Sequence, residues 1–161
     1  VSAISLMAEI AAWAKDQGMS MYQLLQKIYV EYGFSKEKGI SVVKKGKSGA
    51  EEIEAMMKHF RENPLKEIAG SKVTYFYDYS TLKGIDYLEN ETLTLDMPVT
   101  SNVLQFFTED GTKVSIRPSG TEPKIKFYME IKGEMHCPKC YAGANADAME
   151  KVEAIKKSLG I

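Results

Sequence analysis

Residues 113–128, Lys-Val-Ser-Ile-Arg-Pro-Ser-Gly-Thr-Glu-Pro-Lys-Ile-Lys-Phe-Tyr, constrain this chain more than any other stretch. A polar loop, Pro118 to Pro123, interrupts two runs that alternate like half-buried strands. On the first run Lys113, Ser115 and Arg117 share one face and Val114 and Ile116 the other. On the second, Lys124, Lys126 and Tyr128 oppose Ile125, Phe127 and Met129. Alternation with period two predicts a sheet with one wet face. The hairpin therefore brings Arg117 out of one strand end and Lys124 and Lys126 into the next, all on the polar side.

Ser119, Gly120 and Thr121 lie between them and supply hydroxyls and unhindered backbone N–H groups. Arg117 offers a planar fork that matches two oxygens of a phosphate, and Lys126 adds a point charge. Gly120 lets the main chain approach closely or adopt positive φ. Between residues 113 and 126 four basic side chains face one acid, Glu122, on a chain whose net charge is −1. Cations, hydroxyls and bare amides converging on one loop suit a phosphate. The same residues also fit a solvated hairpin with surface lysines and a Ser-Gly turn.

The run Arg117-Pro-Ser-Gly-Thr-Glu-Pro-Lys-Ile-Lys-Phe-Tyr128 resembles the phosphate-binding loop in the last domain of the α-D-phosphohexomutases. That family includes phosphoglucomutase, phosphomannomutase and phosphoglucosamine mutase. The resemblance implies that Arg117, Ser119, Gly120 and Thr121 hold the phosphate of the sugar that is not reacting. Lys126 stands where relatives often carry a basic residue. It further implies a phosphorylated serine, a Mg²⁺ held by aspartates and a sugar-reading loop in domains absent from this chain. The partners implied are a hexose phosphate or bisphosphate and the other domains of the same polypeptide.

At 161 residues, the chain makes one compact domain with a small appendage. A pI near 6.2 argues against a nucleic-acid or anionic-membrane partner, which would favour a basic face. No apolar run reaches the length of a membrane span and no signal-peptide pattern is present, so a cytoplasmic setting is the expectation.

Val1 to Ala14 reads as a helix, but Ile4, Leu6, Met7, Ile10 and Trp13 point nearly all the way round. A helix apolar on every side is buried or has lost its neighbours. The expectation is a piece of a longer protein, with residues 1–34 a helical junction after a missing third domain and 35–161 the C-terminal phosphate-binding domain. An alternative is a non-catalytic interaction module that docks through this helix.

Along the chain, Gly18 ends the first helix and Ser20 to Gln23 forms a capping box for a second. Its apolar stripe is Leu25, Ile28, Tyr29 and Tyr32, and Gly33 stops it. Gly39 to Lys44 is a strand. Ser48 to Glu51 is a second capping box, opening a helix with Ile53, Met56, Met57 and Phe60 inward, closed by Asn63-Pro64. Val73 to Tyr79 is a strand. Residues 80–102 form a long excursion with a short pairing near Leu93 to Leu95. Val103 to Thr108 and Thr112 to Arg117 flank a hairpin turn, and Lys124 to Lys132 follows. Gly143 and Asn145 precede a last helix with Met149, Val152, Ile155 and Leu159 on one side.

The order predicts an α+β fold, an antiparallel sheet of four to five strands with helices on one face, preceded by one or two helices. The family's last domain has this TATA-binding-protein-like architecture, a label that implies no DNA binding.

Three further motifs compete for attention. Gly46-Lys-Ser-Gly49 resembles the end of a nucleotide-binding loop, but the glycine needed at position 41 is Ser41. Lys44, Lys45 and Lys47 read as a solvated turn capped by Ser48. Cys137 and Cys140, next to His136, could make a metal-binding or redox pair, or two thiols in a connecting loop; zinc would need a second pair of ligands. Tyr75, Tyr77 and Tyr79 read as strand packing under a helix, with Phe76 in the core.

Overall fold

The fold is that of a computed structural model, which describes residues 2–44 and 47–161, the side chain of Lys47 excepted. Four helices run Ser2–Asp16 (α1), Met21–Tyr32 (α2), Lys47–Glu62 (α3) and Tyr141–Leu159 (α4). The strands are Phe34–Val43 (β1), Glu67–Ile68 (β2), Ser71–Asp78 (β3), Lys83–Asp86 (β4), Glu91–Thr94 (β5), Leu104–Thr108 (β6), Lys113–Pro118 (β7) and Lys124–Gly133 (β8). The fold is α+β. Its antiparallel sheet has eight strands among the described residues, in the order β1-β8-β7-β6-β3-β4-β5 with β2 hung on β3. That exceeds the expected four to five.

The core forms where alternating strand residues meet two amphipathic helices. Val114, Ile116, Ile125, Phe127, Met129 and Ile131 are sealed on one face. Ile53, Met57 and Phe60 of α3, and Ala148, Val152, Ile155 and Leu159 of α4, pack on that face. Met56 and Met149 sit at its margin. Spacing of three and four residues puts each set on one side of its helix.

Several expectations need correction. Strand β1 begins at Phe34, not Gly39, and pairs with β8 along its whole length, Phe34 against Gly133 through Val43 against Lys124. It is an edge strand, where charged Lys36, Glu37 and Lys38 are tolerated and discourage further pairing. The excursion over 80–102 contains β4 as well as β5, with β4 paired to β3 on one side and to β5 on the other. Helix α4 starts at Tyr141, so Gly143 and Asn145 lie inside it. Tyr75, Tyr77 and Tyr79 do not lie under a helix. They sit half-buried on the open face, where Tyr77 packs against Phe107 with ring centroids 5.1 Å apart.

The stripe expected for α2 is also displaced. Its buried residue is Leu24, while Leu25, Ile28 and Tyr32 are exposed. Tyr29 alone of the expected set packs inward, 5.0 Å from the Phe34 ring. The capping box does form: the Gln23 amide donates to Ser20 Oγ at 3.2 Å and the Ser20 amide to Gln23 Oε1 at 2.8 Å. Helix α1 leans on α2 and buries only Ala14, leaving Ile4 75% and Trp13 51% exposed.

Helix α3 starts at Lys47, so Ser48 stands within its first turn and not ahead of it. Lys45, Gly46 and the Lys47 side chain, part of the expected solvated turn and of the nucleotide-loop likeness, lie outside the described residues. Gly49 has a packing role: a Cβ there would come within 2.4 Å of the Lys44 carbonyl oxygen.

Candidate functional site

Loop 119–123 joins β7 to β8. Pro118, the last residue of β7 and paired with Ile125, and Pro123 flank its tip, and neither can donate a backbone hydrogen bond. The Ser119 amide donates to the Lys124 carbonyl at 2.8 Å, closing the loop's neck. From the sheet edge, the Lys44 amide donates to the Pro123 carbonyl at 2.9 Å, and Lys44 is ion-paired to Glu52 of α3 at 3.2 Å. The loop base is thus tied to both the sheet and the helix layer.

The tip is not tied. Among the described residues the amides of Gly120 and Glu122 donate to no protein acceptor, and the Thr121 amide reaches Ser119 Oγ only at 3.5 Å. A Cβ at Gly120 would meet nothing within 4 Å, and its φ lies outside the left-handed region. The positive φ that glycine permits is therefore not used here, and the space over Gly120 is open.

The charges around the loop are uneven. Glu122 is held below the usual carboxylate range by its hydrogen bond to Lys124, with Lys126 adding to the effect. That leaves Arg117 and Lys126. They are direct cross-strand partners on the open face, Arg117 exposed and Lys126 half-buried. Neither forms an ion pair among the described residues. Like charges placed opposite one another destabilise a sheet.

On the helix side, the loop walls a groove of about 800 Å³ shared with α3. Ser119, Gly120 and Thr121 line it together with Met57, Lys58 and Arg61. Arg61 is committed: Nε donates to Asp78 Oδ2 at 3.0 Å and Nη2 to Asn102 Oδ1 at 2.9 Å. Burial pushes the Asp78 carboxyl up, but hydrogen bonds from Ser80 and Arg61 outweigh it and leave it below the usual range.

The expected site residues thus fall in two groups. Arg117 and Lys126 are neighbours on the open face, while Ser119, Gly120 and Thr121 form the groove's lip, on whose wall the two cations do not lie. Sequence reasoning missed Lys58, Arg61 and Asn102. They come from a helix face and a connecting segment, and no local pattern marks them.

Cys137 and Cys140 are joined in a disulfide within a single 3-10 turn, Pro138–Cys140, that leads straight into α4. The two sulfurs bind each other in this form. Among the described residues no group of three or more His, Cys, Asp or Glu side chains could hold a metal ion. No described helix is long and apolar enough to cross a membrane.

Comparison with known proteins agrees with the loop's resemblance. Residues 40–136 match the family described as phosphoglucomutase/phosphomannomutase, C-terminal domain. A phosphoglucomutase of Staphylococcus aureus (strain MRSA252) is 36% identical over 138 residues, which is 86% of this chain and 24% of the relative. One from Staphylococcus haemolyticus is 33% identical over 131 residues, 81% of this chain and again 24% of the relative. The chain therefore spans about a quarter of the length of the curated relatives it matches. The solved open form of pp63/parafusin, a phosphoglucomutase from Paramecium, aligns with 88% of this chain and 24% of its own at 17% identity. Its TM-score of 0.42 is too low to bear on the argument. With the match spanning residues 40–136, from within β1 past the end of β8, the chain belongs to the phosphoglucomutase/phosphomannomutase C-terminal domain family.

Proposed function

We propose that this chain is the last domain of a phosphohexomutase, an isomerase that moves a phosphoryl group within a hexose phosphate. Its 119–123 loop holds the phosphate that is not being transferred. Residues 35–161 are the phosphate-binding domain and residues 1–34 a helical junction to the preceding one, where the exposed apolar side chains of α1 are covered. A cytoplasmic setting belongs to this reading. The chain by itself is expected to be inactive, because the phosphoserine and the Mg²⁺ that such enzymes use lie elsewhere. No cluster among the described residues fits Mg²⁺.

The observation that carries the reading is the uncompensated row Arg117–Lys126 beside a loop tip whose amides lack acceptors. Two adjacent cations repel until an anion arrives, and free N–H groups then complete its hydrogen bonds. Open space over Gly120 leaves room for the guest. In a mutase the bisphosphorylated intermediate turns around, so the clamp must accept either phosphate equally. On this reading the phosphate sits at the loop's rim and not in the groove. Arg117 and Lys126 attract it by charge from the open face, and Ser119, Gly120 and Thr121 give hydrogen bonds from the tip. None of them reads the sugar. Choice among glucose, mannose and glucosamine phosphates belongs to the rest of the enzyme.

A charged hydrogen bond contributes about 1.5–3 kcal/mol, so losing Arg117 weakens substrate capture about 10–100-fold. Arg117→Ala in the complete enzyme tests this through kcat/KM. Unchanged constants would remove Arg117 from the site. A second reading, docking of a partner protein on α1, is favoured by the exposed Ile4, Leu6, Met7 and Trp13. Light scattering separates the two: a complex of defined stoichiometry through α1 supports docking, and indiscriminate aggregation supports a junction helix.

A further inference from the structure

The one covalent cross-link among the described residues sits where the N-terminal helices meet the body of the domain. Gln26 Nε2 of α2 donates to the carbonyl oxygen of Pro138, inside the disulfide turn, at 3.0 Å. Tyr141, the residue after Cys140, packs edge-on against Tyr22 at 5.4 Å and stacks on Tyr29 at 6.2 Å. Tyr29 in turn meets Phe34 at the start of β1. Leu24 is the only buried residue of α2. The helix is thus seated through Leu24, the Tyr29–Phe34 pair, the Tyr141 ring and one short turn. The shape of that turn is fixed by the Cys137–Cys140 bond and by two backbone bonds, from the Cys140 amide to the Cys137 carbonyl at 3.0 Å and from the Tyr141 amide to the Pro138 carbonyl.

We propose that the Cys137–Cys140 pair is a thiol–disulfide switch whose oxidised form seats α2 on the domain and whose reduced form loosens it. Cys140 is exposed and Cys137 half-buried, so the bond is open to attack from solvent. An exposed disulfide is of the labile kind. In a cytoplasm such bonds are mostly transient and redox-sensing. Once reduced, Cys140 stands at the N-cap of the 19-residue α4, next in sequence to Lys139 and three residues from Cys137, so the pair remains placed to re-form the bond.

The chemistry balances with a dithiol as reductant. One thiolate of the dithiol attacks the Cys140 sulfur, the Cys–Cys bond breaks, and Cys137 leaves as a thiolate and takes up a proton. The second thiolate of the reductant then attacks its own sulfur in the mixed disulfide and releases Cys140, which is protonated in turn. Two electrons and two protons pass to the protein, and the reductant leaves as a cyclic disulfide. The turn between the cysteines then rests on its two backbone bonds alone, Cys140 amide to Cys137 carbonyl and Tyr141 amide to Pro138 carbonyl. The carbonyl that receives Gln26 loses the constraint of the cross-link, while the Tyr141 ring keeps its packing on Phe34.

Hydrogen exchange of the chain, oxidised and in excess dithiothreitol without denaturant, tests the proposal. Loss of a docking hydrogen bond corresponds to about a fivefold change in local opening. Exchange over residues 21–32 is expected to rise about fivefold or more on reduction, while residues 124–133 in β8 stay protected. The Cys137→Ser/Cys140→Ser double variant should show the faster α2 exchange from the outset and no further response to dithiothreitol. Gln26→Ala should speed α2 exchange in the oxidised protein while its thiol content stays at zero. Equal α2 exchange in the oxidised and reduced forms would overturn the proposal, as would a bond that dithiothreitol reduces only after the sheet unfolds. The result is independent of the phosphate reading, since phosphate binding at residues 119–123 is scored separately and can succeed or fail either way.

Discussion

Strands β7 and β8 carry two charged rows on the same open face, four residues apart, with opposite outcomes. At one end Lys113 stands opposite Glu130 and pairs with it at 2.5 Å, and Lys132 reaches the same carboxylate at 2.5 Å. At the other end Arg117 stands opposite Lys126 with no carboxylate between them. Both rows belong to one antiparallel ladder, so strand pairing is not the cause. What differs is the residue placed across the strand, acid at 130 and base at 126. A protein selected for stability alone would gain from an acid in both rows. The uncompensated row adjoins the loop whose amides lack acceptors, and that coincidence separates a binding surface from a merely basic one.

Making the open row into a copy of the closed one should produce the largest effect. Lys126→Glu removes a cation, gives Arg117 a partner and sets a carboxylate against the incoming anion. Capture of a hexose phosphate by the complete enzyme should fall about 100-fold or more, while the thermal midpoint holds or rises. Calorimetric titration alongside a melting curve reads both. Unchanged affinity would mean that the two rows differ only by accident.

The converse change should act on stability alone. The Glu130 carboxyl is held below the usual range by hydrogen bonds from Lys113 and Lys132, outweighing its partial burial. A depressed folded value contributes stability above the unfolded pKa of about 4.3, lost as pH falls through the folded value. Glu130→Gln should therefore cost about 1 kcal/mol near neutrality and flatten the decline of stability below about pH 4. Denaturation followed from pH 7 to pH 3 gives both quantities, and phosphate capture should not move. An unaltered acid limb would show that this pair adds nothing to folding.

Gly120→Ala should have the smallest effect on the fold, within about 0.5 kcal/mol, because the added methyl meets only open space. A larger loss in urea titration would mean that the loop tip needs glycine for the fold itself.

Much of the fold was legible because the core obeys simple periods. The alternation from Val114 to Ile116 and from Ile125 to Met129 matches the buried face, and Ile53, Met57 and Phe60 match α3. Legibility failed where another force replaced periodicity. The first half of β1 hides its strand character because an edge strand carries charge, and β4 is four residues built around Gly84. Of the regular apolar stripe of helix α2 only Tyr29 holds it to the body, joined by Tyr22, Leu24 and Gln26, which tertiary contacts select. At the loop, the residue types could be read, but the confrontation of Arg117 with Lys126 needs the register. Lys58 and Arg61 join the groove only through packing of α3 beside a loop some sixty residues away.

The central claim is that the tip of the β7–β8 loop receives an oxyanion. The most direct measurement is a two-dimensional amide NMR titration of this chain with inorganic phosphate, repeated for Arg117→Ala. The account predicts saturable shifts concentrated on the amides of Ser119, Gly120, Thr121 and Glu122, weakened about tenfold or more in the variant. Shifts absent from those amides, or equal in both proteins, would contradict it.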